Sequence, residues 1–203
     1  MRRKFFLLFF LLWAATNVSA QPAPAWFIQT TLFFARYHPM IEYQPAVGAS
    51  ASIGHLIYHD WLAIAAGFEY TRATQQLQLA AGRDEAHTNI YRSLLTLKAA
   101  RPLKPRALVW YGSLHSGWAF FKPEPLTIDA GIAGKMTLRP AGETKFVAAW
   151  ESGLTLHVIK NTALLLAVRQ NFLRFTPRQL GSDQVERRWR HEWNYATGLL
   201  YFF

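Results

Sequence analysis

The sequence predicts an all-β fold, a closed antiparallel eight-stranded transmembrane up-and-down β-barrel. Three observations favour it. Eight segments of about 11–16 residues alternate in hydropathy with period two. The face opposite the large apolar residues carries Gly, Ala, Ser and Thr rather than many charges, and the connections between segments are alternately short and long.

The composition excludes several other classes of protein. Hydrophobic residues make up 51% of the chain and charged residues only 17%, which is not the composition of a disordered chain. Beyond the first 15 residues the longest apolar run is Trp61–Phe68, whereas a membrane-spanning helix needs about 20 residues. The absence of cysteine excludes disulfides and thiolate metal sites.

The N-terminus has the pattern of a secretory signal peptide. Basic residues at Arg2–Lys4 precede the apolar stretch Phe5–Ala15, and small residues at Val18–Ala20 suit a cleavage site. We therefore expect residues 1–20 to be a signal peptide and residues 21–203 to form the barrel domain. A short membrane anchor is the alternative, although the apolar stretch is too short to span a bilayer.

The predicted strands follow one another along the rest of the chain. They are Trp26–Arg36, Pro45–Tyr58, Trp61–Thr74, Asn89–Ala100, Arg106–Phe120, Lys145–Val158, Thr162–Phe175 and Trp189–Phe203. Six glycines fall on the small-residue face, namely Gly48, Gly54, Gly67, Gly117, Gly153 and Gly198, and Gly112 is the exception. Small residues suit a narrow closed lumen, so we expect bulky apolar residues on the outside and small ones within.

Connection lengths give an orientation. The links after the second, fourth and sixth segments are short, and the others are long, at about Tyr37–Gln44, Gln75–Thr88, Lys122–Thr144 and Thr176–Arg188. Short turns on one side and long loops on the other are typical of outer-membrane barrels, with both termini on the periplasmic side.

Aromatic residues lie at both ends of the segments, as in the two girdles of a membrane barrel. The inner girdle would comprise Trp26, Tyr58, Trp61, Trp110 and Phe203, and the outer one Tyr37, Tyr70, Trp118, Trp150, Phe172 and Trp193. The alternative is that these rings form the core of a soluble β-domain.

The chain resembles the small eight-stranded outer-membrane barrels of the OmpA/OmpX type. The residues behind the resemblance are the signal peptide, the eight segments and the terminal Leu199–Phe203. A terminal Phe203 preceded by apolar or aromatic residues at alternate positions is similar to the signal read by the outer-membrane assembly machinery. The resemblance implies an outer-membrane location and a monomer with a structural or surface-interaction role, and it leaves the specific task open.

Several segments carry a polar residue at an inward-facing position, and these residues lie at similar heights when counted from the periplasmic end of each segment. We name them the interior belt: Glu69, Arg92, His115, Glu151, Arg169, Asn171, Glu192 and Asn194. An eight-stranded barrel is filled by side chains, and buried charges must be paired. The belt therefore predicts a polar core and disfavours passive transport.

A catalytic interpretation of part of the belt is the alternative. Ser113 and His115 lie two residues apart on one strand face, with Glu151 at a similar height on the next strand, a possible serine–histidine–carboxylate set. It would suit a lipid A-modifying hydrolase or acyltransferase. Deacylase-like barrels carry a His-x-Ser order, whereas this chain has Ser113-Leu114-His115, so we expect no enzymatic activity and no catalytic residues.

No metal, cofactor or nucleic-acid site is expected. The seven histidines are scattered, and the loop glycines lack a phosphate-binding pattern. The basic excess suits lipids and lipopolysaccharide phosphates instead. The cations near the outer rim are Lys122, Lys135, Arg139, Lys145, Arg178, Arg187, Arg188 and Arg190, and Arg101, Lys104 and Arg106 surround one periplasmic turn.

The Lys122–Thr144 loop is the least determined segment. It could bind a partner, cover the mouth or extend the strands beside it. If it contained two more barrel strands, the protein would be a ten-stranded barrel with a small lumen. Alternation within Leu126–Leu138 is poor, so we expect eight strands.

Overall fold

A computed structural model describes residues 26–37, 43–58, 61–79, 82–103, 107–129, 134–175 and 188–203. The predicted signal peptide at residues 1–20 lies outside the described residues, as do Lys104, Arg106, Arg178 and Arg187. No membrane-spanning helix is found in the part of the chain that the structure describes.

The described residues form ten strands. Their bounds are β1 Trp26–Tyr37, β2 Ala46–Tyr58, β3 Leu62–Leu79, β4 Gly82–Pro102, β5 Leu108–Pro123, β6 Leu126–Asp129, β7 Lys135–Leu138, β8 Glu143–Ile159, β9 Thr162–Phe175 and β10 Arg188–Phe202. Eight strands close into a barrel in the order β1-β10-β9-β8-β5-β4-β3-β2, with every pair antiparallel. The predicted eight-stranded up-and-down barrel is confirmed.

Two of the long connections contain more structure than the sequence indicated. The Gln75–Thr88 segment, predicted as a loop, continues β3 to Leu79 and β4 from Gly82. Beyond the barrel neither face of a hairpin needs to meet lipid, so apolar alternation is not required and the pattern is lost. The Lys122–Thr144 segment contains β6 and β7, which pair only with each other and leave the barrel with eight strands.

Side chains alternate between the outer surface and the lumen as predicted. On β3 the outward positions include Ile64 and Phe68, which are exposed, and the inward ones include Ala63 and Glu69, which are buried. The same parity holds on β9, where Leu166 is exposed and Arg169 is buried. A one-residue slip in register would reverse every position, so the apolar pattern fixes the register.

The lumen nevertheless holds large rings as well as small residues, which corrects the expectation of small residues alone. Phe33 lies over Gly48, and Tyr111 lies against Gly153, where a Cβ would overlap the ring. Glycine on one strand thus leaves room for an aromatic ring on another. Tyr37 is also buried in the lumen and is not part of the outer girdle, because odd positions of β1 face inward.

The lumen is layered along the barrel axis. We call the two ends the terminal end, where Trp26 pairs with Phe203, and the loop end. An apolar cluster that includes Tyr37, Phe121 and Val147 fills the loop end. Two further clusters fill the terminal end, with Phe27, Leu200, Tyr111 and Leu165 among their members. The polar residues lie between these layers.

The two glycines of β5 on opposite faces give a matched test of the lumen's tight packing. We expect Gly117→Ala to destabilise the barrel by about 1–3 kcal/mol, because the added Cβ would meet the backbone carbonyl of Ser93. Gly112→Ala should be tolerated, since its nearest neighbour is the Trp110 ring at 3.7 Å. Urea unfolding in lipid vesicles measures both, and equal losses would contradict the assignment of faces.

Candidate functional site

Cross-strand register brings the interior belt together. Glu69 lies opposite Arg92 across β3 and β4, and Glu151 lies opposite Arg169 across β8 and β9. Facing residues of neighbouring strands point to the same side of the sheet, so each pair enters the lumen together. Every member of the predicted belt has a buried side chain, His115 included.

The buried charges form one alternating chain of ion pairs. Arg92 contacts Glu192 at 2.6 Å and Glu69 at 3.5 Å. Arg169 donates to both carboxylate oxygens of Glu69, at 2.5 and 2.8 Å, and lies 3.9 Å from Glu151. Each charge has an opposite neighbour, as burial requires.

Two of these pairs cross the lumen. Arg92 on β4 and Glu192 on β10 are separated by three intervening strands in either direction around the barrel, and so are Glu69 on β3 and Arg169 on β9. This chain of ion pairs therefore connects opposite walls of the barrel and fills the space between them. Asn171 Nδ2 donates to the remaining oxygen of Glu192 at 3.1 Å.

Lys98 also belongs to this network, although it is not among the interior residues predicted from the sequence. Its Nζ donates to Gln29 Oε1 at 3.1 Å and lies 3.9 Å from the centroid of the Tyr111 ring. The Tyr111 hydroxyl in turn donates to Glu151 at 2.9 Å. Lys98 shares the parity of Arg92 on β4, so the same rule would have placed it inside.

The structure brings the three candidate catalytic residues together. Ser113 Oγ lies 3.1 Å from His115 Nε2, and the same Nε2 lies 3.8 Å from Glu151 Oε2. The other ring nitrogen, Nδ1, lies 2.9 Å from Thr96 Oγ1.

This arrangement lacks the relay of a serine–histidine–carboxylate triad. In such a triad one ring nitrogen takes the proton from the serine while the other is held by the acid. Here Ser113 and Glu151 both face Nε2, and a threonine occupies Nδ1. Glu151 is instead held by Tyr111 and Arg169.

The space beside these residues is small. A cavity of about 40 Å³ is lined by Ser113, His115, Lys98 and Asn194 among others. This is room for about three water molecules, far below the roughly 300 Å³ of a typical small-molecule pocket. Ser113 itself is buried, and the apolar layers lie on either side of the polar residues.

Other polar groups lie at the loop end. Glu124 accepts from Arg72 Nη2 at 2.7 Å and from Asn89 Nδ2 at 3.0 Å, while Lys145 pairs with Glu143 at 2.7 Å. Across the described ranges, no three His, Asp or Glu side chains are grouped so as to hold a metal ion.

The central carboxylate of the belt gives a stability test. We expect Glu69→Gln to lower the free energy of unfolding by about 3–5 kcal/mol, because it leaves Arg92 and Arg169 buried with too little negative charge. Glu143→Gln removes an ion pair whose carboxylate is 58% exposed, and should cost at most about 1 kcal/mol. Urea unfolding in vesicles measures both, and similar small losses would show that the belt is not a tightly paired core.

Comparison with known proteins gives structural likeness without sequence likeness. No protein-family model matches the chain, and no curated protein matches its sequence. Neisserial surface protein A (NspA) superposes with a TM-score of 0.56 at 14% identity, over 90% of this chain and 100% of that one.

Two further solved structures are similar. The outer membrane protein OprG of Pseudomonas aeruginosa has a TM-score of 0.55 at 9% identity, over 92% of this chain and 99% of its own. The outer membrane protease OmpT of Escherichia coli has a TM-score of 0.50 at 8% identity, over 93% and 100%. The likeness at these identities is one of fold, and the chain has the fold of the small eight-stranded outer-membrane β-barrels.

Proposed function

We propose that this protein is an integral outer-membrane barrel that acts as an envelope component or surface-interaction protein through its outer loops. The observation that carries the proposal is the apolar outer surface of the barrel. Leu32, Leu95, Leu114 and Leu166, on four different strands, are each 61–63% exposed. Soluble proteins rarely expose apolar surface of such extent, whereas a lipid bilayer would cover it.

Aromatic rings at both ends of this surface support a membrane position. Trp118 contacts Phe146 at 5.7 Å near the loop end. Trp193 lies near the same end, opposite Arg36, whereas Trp150, which the sequence assigned to the outer girdle, lies lower on the wall, opposite Leu114. Tyr58 and Trp61 are in contact at 5.4 Å near the terminal end. Such rings prefer the boundary between lipid and water.

The layered lumen supports a role for the loops rather than for the interior. The polar belt is packed between apolar clusters, so passage of solutes through the barrel is not supported. The partners we propose are outer-membrane lipids and lipopolysaccharide, and the outer-membrane assembly machinery. The protein would act as a monomer, without a cofactor and without nucleic acid.

A charge on the outer surface tests the membrane position. Leu114→Arg puts a cation at mid-height of β5, and we expect it to destabilise the barrel in lipid by about 2–4 kcal/mol. Thr137→Arg lies at an exposed position of β7, outside the barrel, and should change stability little. The measurement is urea unfolding in phosphatidylcholine vesicles. A harmless Leu114→Arg would contradict insertion of this surface in lipid.

A lipid-turnover assay tests the absence of enzymatic activity. We expect purified protein in lipopolysaccharide-containing vesicles to release no acyl chain, and Ser113→Ala to behave like the parent, because Ser113 is buried and His115 lacks a relay. Mass spectrometry of lipid A is the measurement. Release that Ser113→Ala abolishes would establish the hydrolase alternative.

A further inference from the structure

The β6–β7 hairpin is a two-stranded sheet outside the barrel wall. Its register sets Leu126 opposite Leu138 and Thr127 opposite Thr137. A two-stranded hairpin alone is marginally stable in water, so a surface that covers one face would stabilise it.

The two faces of the hairpin differ in chemistry. Met136 and Leu138 occupy one face of β7 and are 55% and 43% exposed. On the other face the Thr127 and Thr137 hydroxyls are 3.2 Å apart. The hairpin is thus amphipathic, and its apolar face is exposed.

The base of the hairpin is held at the barrel rim by Glu124. Its carboxylate accepts from Arg72 and Asn89, and its backbone N–H donates to the His87 carbonyl at 2.8 Å. The hydrogen bonds from Arg72 and Asn89 hold the pKa of the Glu124 carboxyl below its usual range. The carboxylate is therefore ionised near neutral pH, and it fixes where the hairpin leaves the barrel.

That point is close to the outer aromatic girdle. Phe120 is exposed on β5, two residues after Trp118. The chain from Phe120 to Leu126, where β6 begins, spans at most about 20 Å when fully extended. The β6–β7 hairpin therefore begins within reach of the surface that we assign to lipid.

Charge at the hairpin favours an anionic surface. Lys122, Lys135 and Arg139 are exposed, whereas the carboxylates of Glu124 and Glu143 are each taken up in an ion pair with a basic side chain. Asp129, opposite Lys135 in the register, is the third acid of this segment, so basic residues remain in excess. Lys135 shares the Thr137 face of β7, and cations on the polar face of an amphipathic segment are the pattern of segments that lie in the headgroup region of anionic membranes.

We propose that the β6–β7 hairpin lies on the membrane around the barrel, with Met136 and Leu138 in the headgroup–acyl boundary and Lys122, Lys135 and Arg139 at the lipid phosphates. This inference rests on the proposed function, since it needs a barrel inserted in lipid. The hairpin would then be a lipid contact rather than an arm for a protein partner.

Single-cysteine labelling can test the proposal because the chain has no cysteine of its own. Met136→Cys, Thr137→Cys and Leu114→Cys would each carry the same polarity-sensitive fluorophore, in nanodiscs of phosphatidylcholine and phosphatidylglycerol with spin-labelled quencher lipid. We expect at least about twofold stronger quenching at Met136 than at Thr137, since an interfacial apolar face buries about 5–10 Å into the boundary. Leu114 should be quenched most by a deep acyl-chain label.

The outcomes distinguish failure of the hairpin proposal from failure of the membrane barrel itself. Strong quenching at Leu114 with equal quenching at Met136 and Thr137 would overturn the hairpin proposal and leave the membrane barrel intact. No quenching at Leu114 would overturn both. If the basic residues lie at the lipid phosphates, quenching at Met136 should weaken when phosphatidylglycerol is omitted or when Arg139→Glu is introduced. Quenching that neither change affects would overturn the assignment of the basic residues to the phosphates.

Discussion

Closure of the backbone hydrogen-bond ladder is the constraint on which this structure depends. In lipid an unpaired N–H or C=O has no water to bond, so a sheet can cross a membrane only without edges. Pairing of β1 with β10, from Phe27 opposite Phe202 to Tyr37 opposite Glu192, removes the last two edges. Once the sheet is closed, every side chain has one of two environments, and alternation along each strand assigns it to lipid or lumen.

The narrow lumen then imposes its own chemistry. Rings such as Phe33 and Tyr111 fit because glycines face them, and the charged groups fit because they are arranged in alternating sign. The result is a filled cylinder in which three carboxylates, two arginines and Lys98 occupy the middle layer. A site with this packing supports rigidity, and the proposed surface interactions are therefore assigned to the segments beyond the rim, where Glu124 and the β6–β7 hairpin lie.

The parts of the fold that follow from alternation could be predicted from the sequence. The eight barrel strands, the inward glycines and the interior belt all depend on period-two patterning, which is strong where one face meets lipid. Tyr37 was misplaced because aromatic character was given more weight than parity. The extension to Leu79 was not predicted because beyond the barrel neither face of a strand needs to meet lipid. The β6–β7 hairpin was not predicted because its strands are only four residues long and the residues between them interrupt the alternation. The contact of Ser113 and Glu151 with one imidazole nitrogen depends on side-chain geometry, which strand parity does not determine.

The two ion pairs that span the lumen have a consequence for how the cylinder is assembled. Arg92 and Glu192 are 100 positions apart in the chain, as are Glu69 and Arg169, and no pair of adjacent strands contains either contact. A sheet that held only β3 and β4 would pair Glu69 with Arg92 at 3.5 Å, but it would lack the shorter contacts that both residues make across the lumen. Those contacts form only when β9 and β10 face β3 and β4, so closure of the ring adds electrostatic stabilisation to its backbone hydrogen bonds. Ring closure and charge pairing are thereby coupled, which disfavours open sheets in an apolar solvent.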